Sequence, residues 1–106
     1  MDHLARYEKL IAAANEYHAK GSWQEKLNAL QQAIVETRAP GFPSDDKYRY
    51  IPRFELGTVY RRFGQFERAE HEYQSLLDEF PTADPAFQAS VFGRLIAIRL
   101  SMGPQC

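Results

Sequence analysis

The chain has 106 residues, of which 44% are hydrophobic and 25% are charged, as in a soluble globular protein of one domain. Its net charge of −1 excludes a general electrostatic attraction to nucleic acids or to anionic membranes. The single cysteine, Cys106, excludes an internal disulfide bond and has no arranged base that would make it a nucleophile. No apolar run approaches the roughly 20 residues that span a bilayer, and the first residues lack the pattern of a secretory signal. We therefore expect a cytoplasmic protein.

A pair of antiparallel helices is predicted at the start of the chain. Apolar residues recur at helical spacing between residues 4 and 19, and Gly21 ends this helix because glycine readily adopts the left-handed backbone conformation. Ser22 followed by Glu25 predicts a capping box at the start of a second helix, whose apolar positions continue to Val35. The short break between the two helices forces them into an antiparallel hairpin.

A loop separates this hairpin from a third helix. Residues 40–46 contain two prolines and a glycine, which exclude regular structure. The third helix ends at Gly64, as the first ends at Gly21. Its start depends on Pro52, which we expect in the first helical turn, where the missing N–H is not needed; otherwise the helix is kinked at Pro52.

Two further helices follow. The fourth covers residues 66–80 and is closed by Pro81. Asp84 is a good N-cap for a fifth helix, which has Pro85 at its first position and continues to about Ser101. The sequence therefore predicts an all-α chain of five helices.

The second hairpin carries a repeat pattern. In chain order its positions are Arg53-x-x-Leu56-Gly57-x-x-Tyr60, Gly64, Ala69-x-x-x-Tyr73 and Pro81. This pattern resembles the tetratricopeptide repeat, whose outline is W-x2-L-G-x2-Y, then A-x3-F, then P. Arg53 alone departs from the outline, since the family has a large apolar residue at that position.

The first hairpin carries a weaker copy of the same pattern. Its positions are Leu10, Ala13, Ala14, Tyr17, Gly21, Leu30 and Ala33. Tyr17 and Tyr60 lie 43 residues apart, which exceeds the usual period of about 34, and the long loop accounts for the excess. Lys26 and Arg38 stand where the family prefers alanine and proline, so this copy is degenerate.

The resemblance implies one tetratricopeptide-type domain over residues 1–106, with five helices stacked as antiparallel hairpins in a short right-handed superhelix. Repeat one covers about 7–40, the loop 40–49, repeat two about 50–83 and the C-terminal helix 84–102. The small residues of the pattern would let the helices of a hairpin approach closely, and the large ones would fill the space between hairpins. The alternative is a helical bundle without superhelical stacking.

In this family the first helix of each hairpin lines a concave groove that receives an extended peptide or a helix. Carried over to this chain, the groove positions of the first and third helices are Ile11, Asn15, His18, Phe54, Thr58, Arg61 and Arg62. Those of the fifth helix are Gln88, Phe92 and Leu95. One subtype of the family grips a C-terminal carboxylate, but only Asn15 matches that clamp, so we expect the clamp to be absent.

The distribution of charge favours a mildly basic groove and an acidic back surface. Residues 40–64 contain five basic and three acidic side chains, whereas residues 65–83 contain five acidic and one basic. We expect the third helix, in the first segment, to face the groove and the fourth helix to face outward. A partner with acidic side chains or a C-terminal carboxylate is therefore favoured. Alternatively, these charges belong to ordinary solvated helix surfaces.

The fifth helix is apolar around most of its circumference, whereas the terminal helix of a repeat array normally needs a polar outer face. We expect a homodimer in which a second copy of the chain covers this helix. The predicted interface residues are Phe87, Val91, Phe92, Leu95 and Ile98. The alternative is a hydrophobic groove for a different protein.

The sequence contains no signature of catalysis or metal binding. His3, His18 and His71 share no ligand spacing with one another or with Cys106, and no phosphate-binding loop or nucleophile motif occurs. Residues 47–50 mix basic and aromatic side chains, but their acidic neighbours argue against nucleic-acid binding. We expect no catalytic residue, no metal and no cofactor.

We therefore predict a non-catalytic protein–protein interaction module, such as an adaptor, a chaperone or an assembly factor, that binds a peptide or a helix in its groove. The alternative is a structural protein whose partner is a second copy of itself. Neither a nucleic acid nor a membrane is an expected partner.

Overall fold

Five α-helices make up most of the structure, a computed structural model that describes residues 2–102. They are α1 (His3–Lys20), α2 (Trp23–Glu36), α3 (Lys47–Arg62), α4 (Phe66–Glu79) and α5 (Pro85–Met102). No β-strand occurs in this part of the chain. The predicted all-α class with five helices is confirmed.

The helices form a row in which each one packs chiefly against the next. α1 with α2 and α3 with α4 form two hairpins, and contacts of α2 with α3 and of α4 with α5 join the row together. The radius of gyration is 14.3 Å and the dimensions are 51 × 33 × 20 Å, whereas a compact domain of this length has a radius of roughly 13 Å. A row of hairpins accounts for this elongated shape. The right-handed twist expected of the row stays a prediction.

The turns inside the two hairpins have the same geometry. Gly21 and Gly64 are left-handed, with φ of 71° and 76°. The residues that follow them have nearly identical backbones, with φ −86° and ψ 74° at Ser22 and φ −87° and ψ 67° at Gln65. In each turn the N–H of this second residue donates a 2.9 Å hydrogen bond to the carbonyl of the tyrosine four residues before the glycine. The turns at Gly21 and Gly64 are therefore equivalent, and they are separated by the same number of residues as Tyr17 and Tyr60.

The two predicted helix caps differ in outcome. Asp84 accepts a 2.8 Å hydrogen bond from the Ala86 N–H, and Pro85 is the first residue of α5, so the predicted cap of this helix is confirmed. The Ser22 side chain makes no capping hydrogen bond, so the capping box predicted from Ser22 and Glu25 is wrong. The backbone at Ser22 is already set by the turn that Gly21 closes.

Pro52 lies deeper in α3 than the sequence predicts. The helix begins at Lys47, which places Pro52 in the second turn rather than the first, so the expected position is wrong. Proline there leaves the Tyr48 carbonyl without its helical N–H partner. The Pro52 ring is fully buried in return. The alternative expectation, a kink at Pro52, stays a prediction.

A close approach between α3 and α4 depends on a glycine. A Cβ added at Gly57 would lie 2.8 Å from Cε1 of Tyr73, closer than side-chain atoms normally come. Tyr73 is wholly buried, and Leu76, one turn further along α4, is 1% exposed. The role predicted for Gly57, to let two helices of a hairpin pack tightly, is therefore confirmed.

Three aromatic rings fold the long loop onto α1. Tyr7, Phe42 and Tyr48 meet edge to face, with centroids 5.4 to 5.5 Å apart. Burial of Tyr7, together with the neighbouring Tyr48, raises the pKa of Tyr7 to about 12. The loop is therefore an ordered part of the hydrophobic packing, and it joins the first turns of α1 and α3.

Candidate interaction surface

Most of the dimer interface predicted on α5 lies inside the chain's own core. Val91, Leu95 and Ile98 are at most 1% exposed. Phe87 stacks on Tyr50 of α3, with ring centroids 4.0 Å apart. Val91, Leu95 and Ile98 are therefore not available to a second chain, and this part of the prediction is wrong. Phe87 is only partly buried, and its place in the interface stays a prediction.

The apolar surface that α5 leaves uncovered is a different stripe. Phe92, Ile96 and Leu100 are spaced four residues apart and are 54%, 43% and 75% exposed. The small residues Ala89 and Gly93 run beside them, and a Cβ added at Gly93 would meet no atom within 4 Å. Of the predicted dimer residues, Phe92 alone belongs to this surface, which we call the outer stripe of α5.

Two predicted groove positions of α3 are occupied by contacts within the chain. The Phe54 ring packs against Tyr73 and Phe87 at centroid distances of 5.7 and 5.5 Å, and the Arg94 guanidinium covers it at 5.0 Å. The Thr58 hydroxyl lies 2.9 Å from the Tyr73 hydroxyl. Phe54 and Thr58 therefore take part in the packing of α3 against α4 and α5 while both stay partly exposed, and their assignment to the groove stays a prediction.

The predicted groove positions of α1 are more accessible than those of α5. Asn15 and His18 are exposed, and Ile11 is partly buried against the core. On α5, Leu95 is buried, so its groove assignment is wrong. The Gln88 amide donates hydrogen bonds of 2.7 to 3.3 Å to three carbonyls of the α4–α5 connection. Gln88 therefore holds that connection.

A buried lysine connects α1, α2 and α3. Lys26 is 2% exposed, and its Nζ lies 2.9 Å from Nδ1 of His18 and 3.6 Å from Oε2 of Glu55. An ammonium group only donates, so His18 accepts this hydrogen bond through Nδ1 and carries its own hydrogen on Nε2. The ion pair with Glu55 offsets part of the cost of burying the charge.

The Trp23 indole stands beside this lysine, at the start of α2. His18 meets the indole edge to face at 5.0 Å, and the Arg62 guanidinium lies over it at 4.1 Å. Arg61 is partly exposed, and within residues 2–102 neither arginine forms an ion pair. His18 at the end of α1, Trp23 at the start of α2 and Arg62 at the end of α3 thus form one surface of aromatic and cationic groups. We call it the Trp23 surface.

The basic groove expected from the charge distribution is smaller in the structure. Burial by itself lowers the pKa of Arg53, but hydrogen bonds and charges from Glu79 and Glu72 outweigh it and raise that pKa above its ordinary value. Arg49 donates instead to backbone carbonyls. Of the five basic residues counted for this segment, Arg62 contacts Trp23, and Arg61 precedes it in the chain.

Trp23 and the buried Lys26 beside it were not predicted as site residues from the sequence. Lys26 was recognised as a departure from the alanine of the repeat pattern, and a long charged side chain at a close-packed position must extend to a surface or to a partner. The replacement of alanine by Lys26 is therefore the feature of the sequence that indicates this site. Nothing in the sequence indicates Trp23, because a tryptophan next to a turn packs equally well into a core.

The fold defines an all-α protein of consecutive helical hairpins. Among residues 2–102, no three histidine, cysteine, aspartate or glutamate side chains come together as a metal site requires. No helix in this part of the chain has the length and apolar character needed to cross a membrane. Cys106 lies outside the described residues. Models of known protein families, characterised proteins and solved structures give no match to the chain.

Proposed function

We propose that the chain is a non-catalytic protein-interaction module, acting as an adaptor, a chaperone or an assembly factor. Its partner is a peptide or helix with acidic side chains that binds at the Trp23 surface. The equivalent turns at Gly21 and Gly64 and the resemblance to the tetratricopeptide repeat support this proposal. We also propose that it acts in the cytoplasm, since a chain with one cysteine requires no oxidising compartment.

The stack of Arg62 on Trp23 is the observation on which the proposal depends. The central carbon of the Arg62 guanidinium lies over the indole ring, 4.1 Å from its centroid, a cation–π contact that leaves the positive charge in place. The N–H groups around the edge of the guanidinium remain free to donate to a carboxylate, in the paired geometry that arginine and carboxylates share. Arg61 adds a second positive charge next to it in the chain. A partner with a carboxylate and an apolar side chain would match this combination of charge and indole surface.

Selection from a library of displayed random peptides tests the proposal. We expect enrichment of acidic peptides, and an affinity loss of at least about tenfold when Arg61→Glu and Arg62→Glu are combined, since close charge pairs at interfaces are commonly worth this much. The variant combining Lys47→Glu with Arg68→Glu has the same change in net charge at exposed positions elsewhere and should bind normally. Equal binding by all three proteins, or an equal loss in both variants, would contradict the assignment of the site.

A structural homodimer is the second candidate, and the outer stripe of α5 favours it. The helix presents no charge there, because Arg94 covers Phe54 and Arg99 pairs with Glu70 at 3.0 Å. The large row of Phe92, Ile96 and Leu100 runs beside a small row at Ala89 and Gly93. In two copies related by a two-fold axis, the large side chains of each copy would pack against the small residues of the other.

A further inference from the structure

A cleft between α2 and α4 is not part of either surface described so far. Its apolar lining comes from Ile34 and Val35 of α2, Leu56 of α3 and Phe80, which directly follows α4. Its volume is about 790 Å³, within the usual range of roughly 300–1,000 Å³ for pockets that bind small ligands or side chains. Val35 is 60% exposed, so an apolar group entering the cleft would gain contact with it.

The charges along this cleft are unevenly paired. Arg53 occupies both of the carboxylates that line it, Glu72 and Glu79. Arg38 and Arg49 also line the cleft, and neither has a carboxylate partner among the described side chains. One end of the cleft therefore carries two positive charges that the fold does not neutralise.

Arg49 is held in place without losing its charge. Its guanidinium donates to the carbonyls of Pro43 at 3.1 Å and Thr37 at 3.4 Å, and it lies 6.0 Å from the centre of the Phe42 ring. These partners are neutral, so they fix the orientation of the group and leave its positive charge for an incoming anion. A fixed arginine loses little conformational entropy when it binds, which favours recognition.

We propose that the cleft between α2 and α4 binds an acidic segment of a protein partner. A carboxylate of the segment pairs with Arg38 and Arg49, and an adjacent aliphatic side chain packs against Val35 and Leu56. The apolar lining at Val35 and Leu56 can contact an aliphatic side chain, which favours a peptide over a nucleic acid. The cleft shares no residue with the Trp23 surface, and its occupancy does not depend on the function proposed above.

Backbone amide chemical shifts of the full chain test this proposal, with a blocked Ser-Leu-Glu-Leu-Glu-Ser peptide as the probe. We expect the shift changes to concentrate in residues 31–38 and 49–56. Arg38→Gln should weaken binding by roughly fivefold, the upper range for an exposed ion pair, and the same peptide with glutamine in place of glutamate should weaken it at least as much. Arg68→Gln, which removes the same charge from an exposed position of α4, should leave binding unchanged.

The Arg38→Gln variant is a suitable test because the Arg38 side chain has no hydrogen-bond or ion-pair partner among the described residues, so the fold does not depend on it. Its amide spectrum will show directly that it is folded. The proposal is overturned if the shift changes lie on other helices, or if the glutamine peptide binds equally well. It is also overturned if hexathymidylate binds more tightly than the peptide and perturbs the same residues.

Discussion

At Tyr7, burial has a chemical effect that can be followed by titration. The ring packs between Phe42 and Tyr48, and its pKa rises from 10.0 to about 12. Between these two pH values an unfolded chain releases the Tyr7 proton while the folded chain retains it. The free energy of unfolding therefore falls as the pH rises from 10 to 12, and urea unfolding across this range will measure the decrease.

The variant Tyr7→Phe is the control for this effect. It keeps the ring and removes the titrating hydroxyl, so its free energy of unfolding should fall less steeply than that of the wild type over the same pH range. Identical slopes for the two proteins would show that Tyr7 is not the group responsible.

At Gly57, the added methyl group of alanine has no room. The variant Gly57→Ala should lower the free energy of unfolding by about 1–3 kcal/mol, because Tyr73 must move from its buried position. At low micromolar concentration, below that expected for the dimer, the variant Gly93→Ala, also inside a helix but with open space around it, should instead raise it by about 0.5–1 kcal/mol through helix propensity. Urea denaturation distinguishes the two, and a stable Gly57→Ala variant would show that α3 and α4 are less closely packed than described.

At the scale of single helices, the contrast between Asp84 and Ser22 can be tested directly. Asp84→Ala removes a 2.8 Å capping bond at the start of α5 and should lower the free energy of unfolding by about 1 kcal/mol. Ser22→Ala removes a side chain that makes no capping bond, so the change should stay within about 0.5 kcal/mol. Comparable losses from the two substitutions would mean that Ser22 caps α2 in solution.

Helix ends set by the local backbone could be predicted from the sequence. Gly21, Gly64 and Asp84 act within a few residues of their own position, and each ends or starts a helix where expected. The start of α3 could not be predicted in this way, because Tyr48 packs against a ring of α1 that is distant in sequence. Tyr48 lies in the first turn of α3, which begins at Lys47, five residues before Pro52.

For the candidate sites, the orientation of each helix about its own axis is harder to predict from the sequence than the ends of the helix. α5 is apolar on nearly every side, so no periodicity distinguished Val91 and Leu95, which are buried, from Ile96, which is exposed. On α3, Phe54 and Thr58 are groove positions by resemblance to the family, but their side chains contact α4 and α5. Which side of a helix meets its neighbour depends on packing across the whole row, which the periodicity of one helix does not show.

At the scale of the whole molecule, the outer stripe of α5 leads to a prediction about mass in solution. We expect sedimentation equilibrium at high micromolar concentration to give twice the chain mass of 12.2 kDa. Combining Ile96→Lys with Leu100→Lys should restore the single-chain mass, because each charge would be buried against a second copy. Val35→Lys alters an equally exposed apolar residue on α2 and should leave the mass unchanged. If the wild type has the mass of a single chain at this concentration, the outer stripe does not form a dimer interface.

The arrangement of the helices in a row also has a consequence for how the molecule comes apart. α5 stands at one end and is held chiefly by α4, whereas α2 and α3 have neighbours on two sides. A transient detachment of α5 therefore leaves both hairpins assembled and costs less than global unfolding. Amide hydrogens of α5 should exchange with deuterated solvent sooner than those of α2 and α3, because α5 can unfold locally while the two hairpins stay folded.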